Sequence, residues 1–242
     1  MTRRRVLAWA GAGALGTLGL GGPGIGRAAT VRAPFQRLAV ADPPFVEEYE
    51  VVIALAPPLA RNTVGKLITR AATSADERAK SERLTAALDP DKTELHERFV
   101  QALADRLADA DVKTVAVPVD AADSEDQLLA QMRRKVPQAD GLLLANVMGR
   151  FVALHGLQAY VPGLMVGIKA LPARAGAKPW LDQIFSAGFR GIDPRAEHLE
   201  AIELPEQFDN MDALLSQADA ARAALVRGTE AMADAIARRL MA

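Results

Sequence analysis

The chain has 242 residues, half of them hydrophobic, with 29 basic residues, 30 acidic residues and no cysteine. This length and apolar content suffice for a sizeable buried core. Because cysteine is missing, disulfides, thiolate metal sites and a cysteine nucleophile are excluded. Aromatic residues make up only 5% of the chain, so the core must be built mainly from aliphatic side chains.

The first 28 residues have the organisation of an export signal. A basic segment runs directly into a glycine-rich, mildly apolar stretch, which is the order found in signal peptides. The arginine pair resembles a twin-arginine signal, and small residues precede a predicted cleavage point after position 28. We predict export to the periplasm; an ordinary secretory signal and an uncleaved anchor are the alternatives. The residues that carry this prediction are Arg3, Arg4, Val6, Leu7, Gly26 and Ala28.

The predicted mature chain is acidic. Cleavage removes four arginines and no acid, leaving 25 basic against 30 acidic residues and a net charge of −5. This balance argues against nucleic acid as a partner, because phosphate binding needs a surplus of Lys and Arg. The glycines among residues 8–22 make that segment weakly apolar for a permanent span of about 20 residues. We therefore expect membrane attachment only if the signal stays uncleaved.

Residues 29–49 follow the signal and contain three prolines and no sustained period, so we predict an extended linker. Glu50–Pro57 is the first predicted strand, and its continuous apolar run indicates burial on both faces. From Leu59 to Leu88 small and charged residues dominate, and we expect one or two short helices there. The folded part of the chain is thus predicted to begin at residue 50.

The next segment alternates helices and strands. Leu95, Phe99, Leu103 and Leu107 recur every four residues, which predicts a helix over Glu94–Ala110 with one face on the sheet. Two later segments complete the pattern: a strand over Val112–Val119, and a short helix that contains Leu128, Leu129 and Met132 and ends by Pro137. The charge run Arg133-Arg134-Lys135 is either a binding patch or, the interpretation we favour, the solvated last turn of this helix, where cations suit the helix dipole.

The densest apolar region runs from Ala139 to Leu171. Its glycines and its Val161-Pro162-Gly163 bend favour strands over a helix, because Gly and Pro destabilise helix interiors. We predict two antiparallel strands joined near residues 154–159. Since proline has no N–H to donate, Pro162 should lie at a strand start or an edge.

The C-terminal part is predicted to contain strands at Trp180–Phe185 and Leu199–Leu204, then a long helix over Asp209–Leu240 whose N-terminus is capped by Phe208-Asp209-Asn210. An apolar stripe runs along this helix, and it either covers the sheet of its own domain, the interpretation we favour, or binds a partner. The stripe residues that would form such an interface are Met211, Leu215, Ala218, Leu225, Met232 and Ile236.

The order of these elements predicts one α/β domain of the α+β type over residues 50–242. It should contain a mixed sheet of about five strands, with helices packed on it and a long C-terminal helix.

Familiar catalytic and metal-binding motifs do not fit. The histidines His96, His155 and His198 fall in different elements, and His96 lacks the second histidine of a helical zinc site. Asp89–Glu94 begins like a calcium loop but lacks its later glycine and glutamate, so a turn with a helix cap is preferred. Ser186 has no leading glycine of a nucleophile elbow. We therefore predict no catalytic, cofactor or metal residues.

Five segments together resemble the envelope proteins related to the TolB amino-terminal domain, which include CsgG-like and LpoB-like proteins. These segments are Val51–Pro57, Glu94–Ala110, Val112–Val119, Ala139–Leu143 and Asp209–Leu240. The resemblance implies a non-enzymatic accessory or assembly protein of the cell envelope that acts through protein binding. Such proteins are commonly lipid-anchored, whereas this chain has no cysteine to acylate, so no lipid anchor is expected.

The expected function is therefore that of an exported, periplasmic accessory protein that binds an envelope protein or associates with itself through the C-terminal helix. The alternative is a periplasmic small-molecule-binding protein or hydrolase with its site in the loops near Asp120 and His155, with Arg190 close by. A third possibility is a self-assembling structural component.

Overall fold

A computed structural model describes residues 34–42, 48–54, 63–154, 159–189 and 195–242. They form a mixed sheet of seven strands with helices packed on it, which confirms the predicted fold class with more strands than expected. The strands are β1 (Arg37–Asp42), β2 (Glu50–Ala54), β3 (Lys113–Pro118), β4 (Gly141–Leu154), β5 (Tyr160–Pro172), β6 (Leu181–Gly188) and β7 (Glu197–His198). The helices are α1 (Thr63–Leu88), α2 (Pro90–Thr93), α3 (Leu95–Ala108), α4 (Glu125–Lys135), α5 (Met211–Ser216) and α6 (Ala218–Met241).

The sheet is arranged around β4. Its strand order is β3-β1-β4-β5-β6-β7, and β2 also pairs with β4. The first residues of β4 pair in parallel with β1 and its last residues pair in parallel with β2, while β5 runs antiparallel along nearly all of β4. The predicted central hairpin is confirmed. Pro162, the third residue of β5, precedes the pairing of β5 with β6, which begins at Gly163.

β1 corrects the predicted linker over residues 29–49. This strand lies between β3 and β4, and its residues Leu38 and Val40 are buried in the core. A strand of six residues is too short to show a clear hydrophobic periodicity in the sequence, and the prolines on either side of it suggested a linker. Leu38 of β1 pairs with Gly141 of β4, and Glu50 of β2 pairs with Arg150 of β4. The chain from Leu38 to Glu50 is therefore three residues longer than the segment of β4 from Gly141 to Arg150.

One helical prediction is corrected and one is confirmed. α1 is a single 26-residue helix rather than one or two short ones. The helix predicted over Glu94–Ala110 is α3, Leu95–Ala108, and Glu94, which has a left-handed backbone with φ of 49°, separates it from α2. The four-residue stripe of α3 is confirmed, since all its members are buried: Leu95, Phe99, Leu103 and Leu107.

The C-terminal region differs from prediction in two places. Leu199–Leu204 is not a strand, because the chain turns there: the Ile202 N–H donates to the Leu199 carbonyl at 3.1 Å. The long helix is divided at Gln217 into α5 and α6. Its predicted cap is confirmed at Asn210, whose side chain accepts from the Ala213 N–H at 2.8 Å.

The helices lie on the two faces of the sheet. α1, α3, α5 and α6 enclose the larger core on one face, and α4 covers a smaller core formed by β1, β3 and the ends of β4 and β5 on the other. Gly228 allows α6 to approach the sheet closely, since a Cβ there would lie 2.5 Å from Leu164 Cδ1. No helix in the described ranges is long and apolar enough to cross a membrane.

The apolar stripe of the C-terminal helix belongs to the core of its own domain. Met211, Leu225, Met232 and Ile236 are buried in the larger core, and Leu215 and Ala218 pack against it. This is the interpretation that the sequence favoured. The alternative, in which these six residues form an interface, is corrected because their side chains already lie in the chain's own core or pack against it.

Candidate functional site

One region of the sheet lies beyond the cover of α4, and we call it the open face. Side chains alternate between the two faces of a strand, so the strand register defines its members. The open face consists of Asn146, Met148, Arg150, Met165, Gly167 and Ile184. Leu142 and Leu144 lie on the same face of the sheet, but they belong to the smaller core under α4.

All six residues of the open face are half-buried. None of them belongs to either of the two hydrophobic clusters formed by the described residues. The backbone beneath them is well paired, because β4, β5 and β6 are joined along most of their lengths. The open face is thus a partly apolar surface on a firm support.

Arg150 occupies one end of the open face, between two methionines. Met148 precedes it by two residues on β4, and Met165 stands opposite Met148 on β5. The guanidinium Nη1 lies 2.7 Å from the Met165 sulfur, and Nη2 and Nε lie 3.0 and 3.3 Å from the Met148 sulfur. Nε also lies 2.8 Å from Glu50 Oε2, and the Arg150 side chain is only 14% exposed. Arg150 therefore joins β2 to the centre of the sheet.

Gly167 forms the floor of the open face, between Asn146 on β4 and Ile184 on β6. A Cβ added at Gly167 would meet no atom of the described residues within 4 Å. Within the described part of the chain, the floor is therefore open space above a paired backbone.

Lys169 bounds the other end of the open face. Its Nζ lies 2.7 Å from Glu125 Oε1 and 3.3 Å from Asp182 Oδ2. Burial lowers the pKa of Lys169, but the hydrogen bonds and charges of Glu125 and Asp182 outweigh burial and hold the pKa above its ordinary value. The lysine stays charged and links α4 to β5 and β6.

Ser186 and His198 form a second polar pair on the same face by register. Ser186 Oγ lies 3.3 Å from His198 Nδ1, and Ser186 is 9% exposed. A serine beside a histidine is the first requirement of nucleophilic catalysis. Ser186, however, lies inside β6 and not at an exposed turn, and its carbonyl accepts from the Leu199 N–H at 2.8 Å. This pair also connects β7 to β6.

The other polar residues singled out from the sequence lie apart from the open face. The Asp120 N–H, just after β3, donates to Gln131 Oε1 at 2.9 Å. His96 is buried on α3, while His155 and Arg190 lie outside the described residues. Within the described ranges, no three or more His, Asp or Glu side chains are grouped so that they could hold a metal ion. The export-signal residues Arg3, Arg4, Val6, Leu7, Gly26 and Ala28 also lie outside these ranges.

Two charged segments make contacts within the chain, although the helix cap predicted in Asp89–Glu94 is not formed, since neither Asp89 nor Glu94 makes a side-chain capping hydrogen bond. In the calcium-like segment, Asp89 pairs with Lys92 at 2.7 Å, and the hydrogen bond from Lys92 holds the pKa of Asp89 below its ordinary value. In the last turn of α4, Arg133 Nε donates to the Ala173 carbonyl at 2.8 Å and Lys135 Nζ to the Pro118 carbonyl at 2.7 Å. Both segments fasten neighbouring parts of the chain.

The sequence analysis missed the open face. Met148 and Arg150 were available as an alternating pair on a predicted strand, with Met165 on the next strand. Their meeting depends on the register of the hairpin, in which Met148 stands opposite Met165. A hairpin joined one residue earlier or later would have separated them.

Comparison of the chain with protein-family models, with curated proteins and with solved structures found no match. Any statement about function therefore rests on the residues and geometry of this chain.

Proposed function

We propose that this chain is an exported accessory protein of the cell envelope that acts by binding a protein partner through the open face. The observation that carries the proposal is the half-buried surface around Gly167, which combines Met148, Met165 and Ile184 with an arginine at one end. Methionine adapts its shape to different partners, and arginine is enriched among the residues that dominate binding energy.

The support beneath this surface suits a binding role. β4, β5 and β6 hold the side chains in a fixed register, so little order would have to be gained on association, and such preorganisation favours affinity. Ion pairs stand at both ends: Arg150 with Glu50, and Lys169 with Glu125 and Asp182. A partner would therefore meet an apolar centre with a polar rim, the usual composition of a protein interface.

The sequence supports the same proposal from another direction. The export signal proposed for residues 1–28 would deliver the chain to the periplasm. The resemblance to proteins related to the TolB amino-terminal domain implies accessory and assembly roles there. We propose this family relationship together with the function.

The test is site-specific photo-crosslinking in cells that export the protein. A photoreactive phenylalanine analogue at Gly167 fits the structure because a Cβ there meets no atom within 4 Å. The matched control carries the same analogue at Arg134, an exposed residue of α4. We expect an adduct of defined mass from position 167 that is missing from position 134.

A blocking variant gives the second half of this test. Gly167→Trp should cover the floor of the open face and reduce the partner adduct formed from a photoreactive residue at position 184 by about tenfold, as for the loss of a central contact. Its thermal unfolding should match that of the parent. Equal adducts at 167 and 134, or none at 167, would contradict the proposal.

The alternative function, a hydrolase or small-molecule-binding protein, has one specific observation in its favour. Ser186 Oγ stands 3.3 Å from His198 Nδ1, although the sequence pointed to the loops near Asp120 and His155. A fluorophosphonate probe tests it, since a serine activated by a histidine reacts covalently with such reagents. Labelling that disappears in Ser186→Ala would favour the hydrolase; an unlabelled chain that forms the adduct at position 167 would favour partner binding.

A further inference from the structure

We propose that Met148 and Met165 are a site of reversible methionine oxidation, and that Arg150 binds the sulfoxide oxygen that a peroxide introduces there. This inference goes beyond the proposed function, because it concerns a chemical modification and stands on the geometry of three side chains, whether or not the open face binds a partner.

The reaction is a two-electron oxidation of sulfur. A sulfur lone pair attacks one oxygen of hydrogen peroxide, so that an S–O bond forms as the O–O bond breaks. The hydroxide that leaves takes the proton of the transferred oxygen. The products are a sulfoxide and one water molecule. Sulfur is oxidised and the peroxide is reduced, and no further reactant is needed.

The six described methionines differ in their access to such a reagent. Met132 and Met232 are fully buried and Met211 is 8% exposed. Met148 and Met165 are half-buried, as is Met241 near the C-terminus. Because oxidation requires contact between peroxide and sulfur, it should reach the half-buried methionines first.

The position of Arg150 distinguishes Met148 and Met165 from Met241. Its three guanidinium nitrogens lie 2.7 to 3.3 Å from the two sulfurs. A thioether sulfur accepts hydrogen bonds only weakly, whereas bonds from a charged donor to a polar oxygen are about twice as strong as neutral ones. The guanidinium is therefore better matched to the oxidised side chains than to the reduced ones.

Oxidation should also change the attachment of β2. The Nε atom that holds Glu50 at 2.8 Å lies 3.3 Å from the Met148 sulfur. A sulfoxide oxygen at Met148 would compete with the Glu50 carboxylate for the same guanidinium. Since Glu50 begins β2 and pairs with Arg150, this competition should loosen β2 from β4.

The experiment treats the full chain with hydrogen peroxide and locates the added oxygen atoms by peptide mass spectrometry. Met241 is the internal control for exposure and Met232 the control for burial. Hydrogen exchange of residues 50–54 then reports the attachment of β2. We expect exchange there to rise about twofold to fivefold in the oxidised protein, the range set by loss of one partly exposed ion pair. Methionine sulfoxide reductases should reverse the rise.

Two variants separate the proposal from general oxidative damage. In Met148→Leu/Met165→Leu, peroxide should still oxidise Met241 but leave exchange at residues 50–54 unchanged. In Arg150→Gln, Met148 and Met165 should still be oxidised, with no further rise in exchange. The proposal is overturned if Met148 and Met165 are oxidised no faster than Met232, or if β2 exchanges equally in the reduced and oxidised parent.

Discussion

Two edge strands of the sheet, β2 and β3, present their backbone N–H groups in opposite ways. On β2 the N–H groups of Val51 and Ile53, and just before it that of Tyr49, donate to side chains of α1 at 2.9, 2.8 and 2.9 Å. The acceptors follow one another at four-residue steps along the helix: Thr85, Ser81 and Glu77. A row of helix side chains therefore closes this edge.

Among the described residues, no strand pairs with the outer edge of β3. Lys113 N donates to the Gln36 carbonyl and Val119 N to the Asp42 carbonyl, so by alternation the N–H groups of Thr114 and Ala116 point away from β1. The next outward position is Pro118, which has no N–H. Unpaired edges invite pairing with other chains. The comparison shows two means of protection: a helix supplies acceptors on one edge, and a proline limits the donors on the other.

The largest expected effect comes from removing the acceptors of α1. In Glu77→Ala/Ser81→Ala/Thr85→Ala, three hydrogen bonds to β2 are lost, at a cost of about 1 kcal/mol each and about 3 kcal/mol in total. Urea denaturation measures this loss. Glu82→Ala, at an exposed position of the same helix, is the control and should change stability by less than about 0.5 kcal/mol. A triple variant as stable as this control would show that α1 does not close the edge.

The next effect concerns the packing that holds β2 against β4. A Cβ at Gly149 would lie 2.9 Å from the Tyr49 ring and 3.0 Å from Leu225 Cδ1. Gly149→Ala should therefore destabilise the protein by about 1–3 kcal/mol through overpacking. Gly167→Ala is the matched control on β5, where a Cβ meets no atom within 4 Å. Thermal unfolding should separate the two variants, and equal transitions would contradict this account.

A smaller effect on stability, with a larger one on association, is expected at β3. Pro118→Val restores a third outward N–H beside Thr114 and Ala116, so the edge can pair with another strand. We expect this variant to form dimers or larger species on size-exclusion chromatography with light scattering, while its unfolding changes by less than about 1 kcal/mol. An association state identical to the parent's would mean that Pro118 does not protect the edge.

The smallest effect is electrostatic and lies on α1. Lys80 Nζ lies 2.7 Å from Asp76 Oδ2, and the hydrogen bond that Lys80 donates to Asp76 raises the pKa of Lys80 despite partial burial. A raised folded-state pKa means that the stabilisation is complete below the unfolded lysine pKa of about 10.4. It is lost as pH rises through the higher folded value.

The matching measurement compares the parent with Lys80→Gln by urea denaturation between pH 9 and pH 12. Below about pH 10 the parent should be more stable by about 0.3–0.5 kcal/mol, as for other helix pairs of this spacing. The difference should disappear at the alkaline end. A difference that grows with pH would have the wrong sign and would contradict the pairing with Asp76.

Sequence reasoning succeeded where local pattern and burial agree. The hairpin of β4 and β5 follows from apolar density and glycine bends, and α3 follows from the four-residue spacing of Leu95, Phe99, Leu103 and Leu107, because each pattern places its residues on one buried surface. It failed at α1, whose described part contacts β2 through Glu77, Ser81 and Thr85. In that described part only Leu84 and Leu88 are buried in the core, so its apolar pattern is too short to predict one long helix.

The open face was missed for a related reason. Met148, Arg150 and Met165 are unremarkable in sequence, and only the register of β4 against β5 brings them together. Likewise β1 is six residues long and became a central strand only through pairing on both sides, with β3 and β4. Contacts between residues far apart in the chain decide both features, and no local pattern encodes them.

By itself, then, the sequence determined the fold class, the central hairpin, the buried face of α3 and the cap at Asn210, because hydrophobic periodicity and capping act over a few residues. The tertiary structure alone decided that the C-terminal stripe is core, that α1 closes the edge of β2, and that Arg150 lies between two methionines. Each of these depends on which strand lies beside which, and that is settled by packing of the whole chain at once.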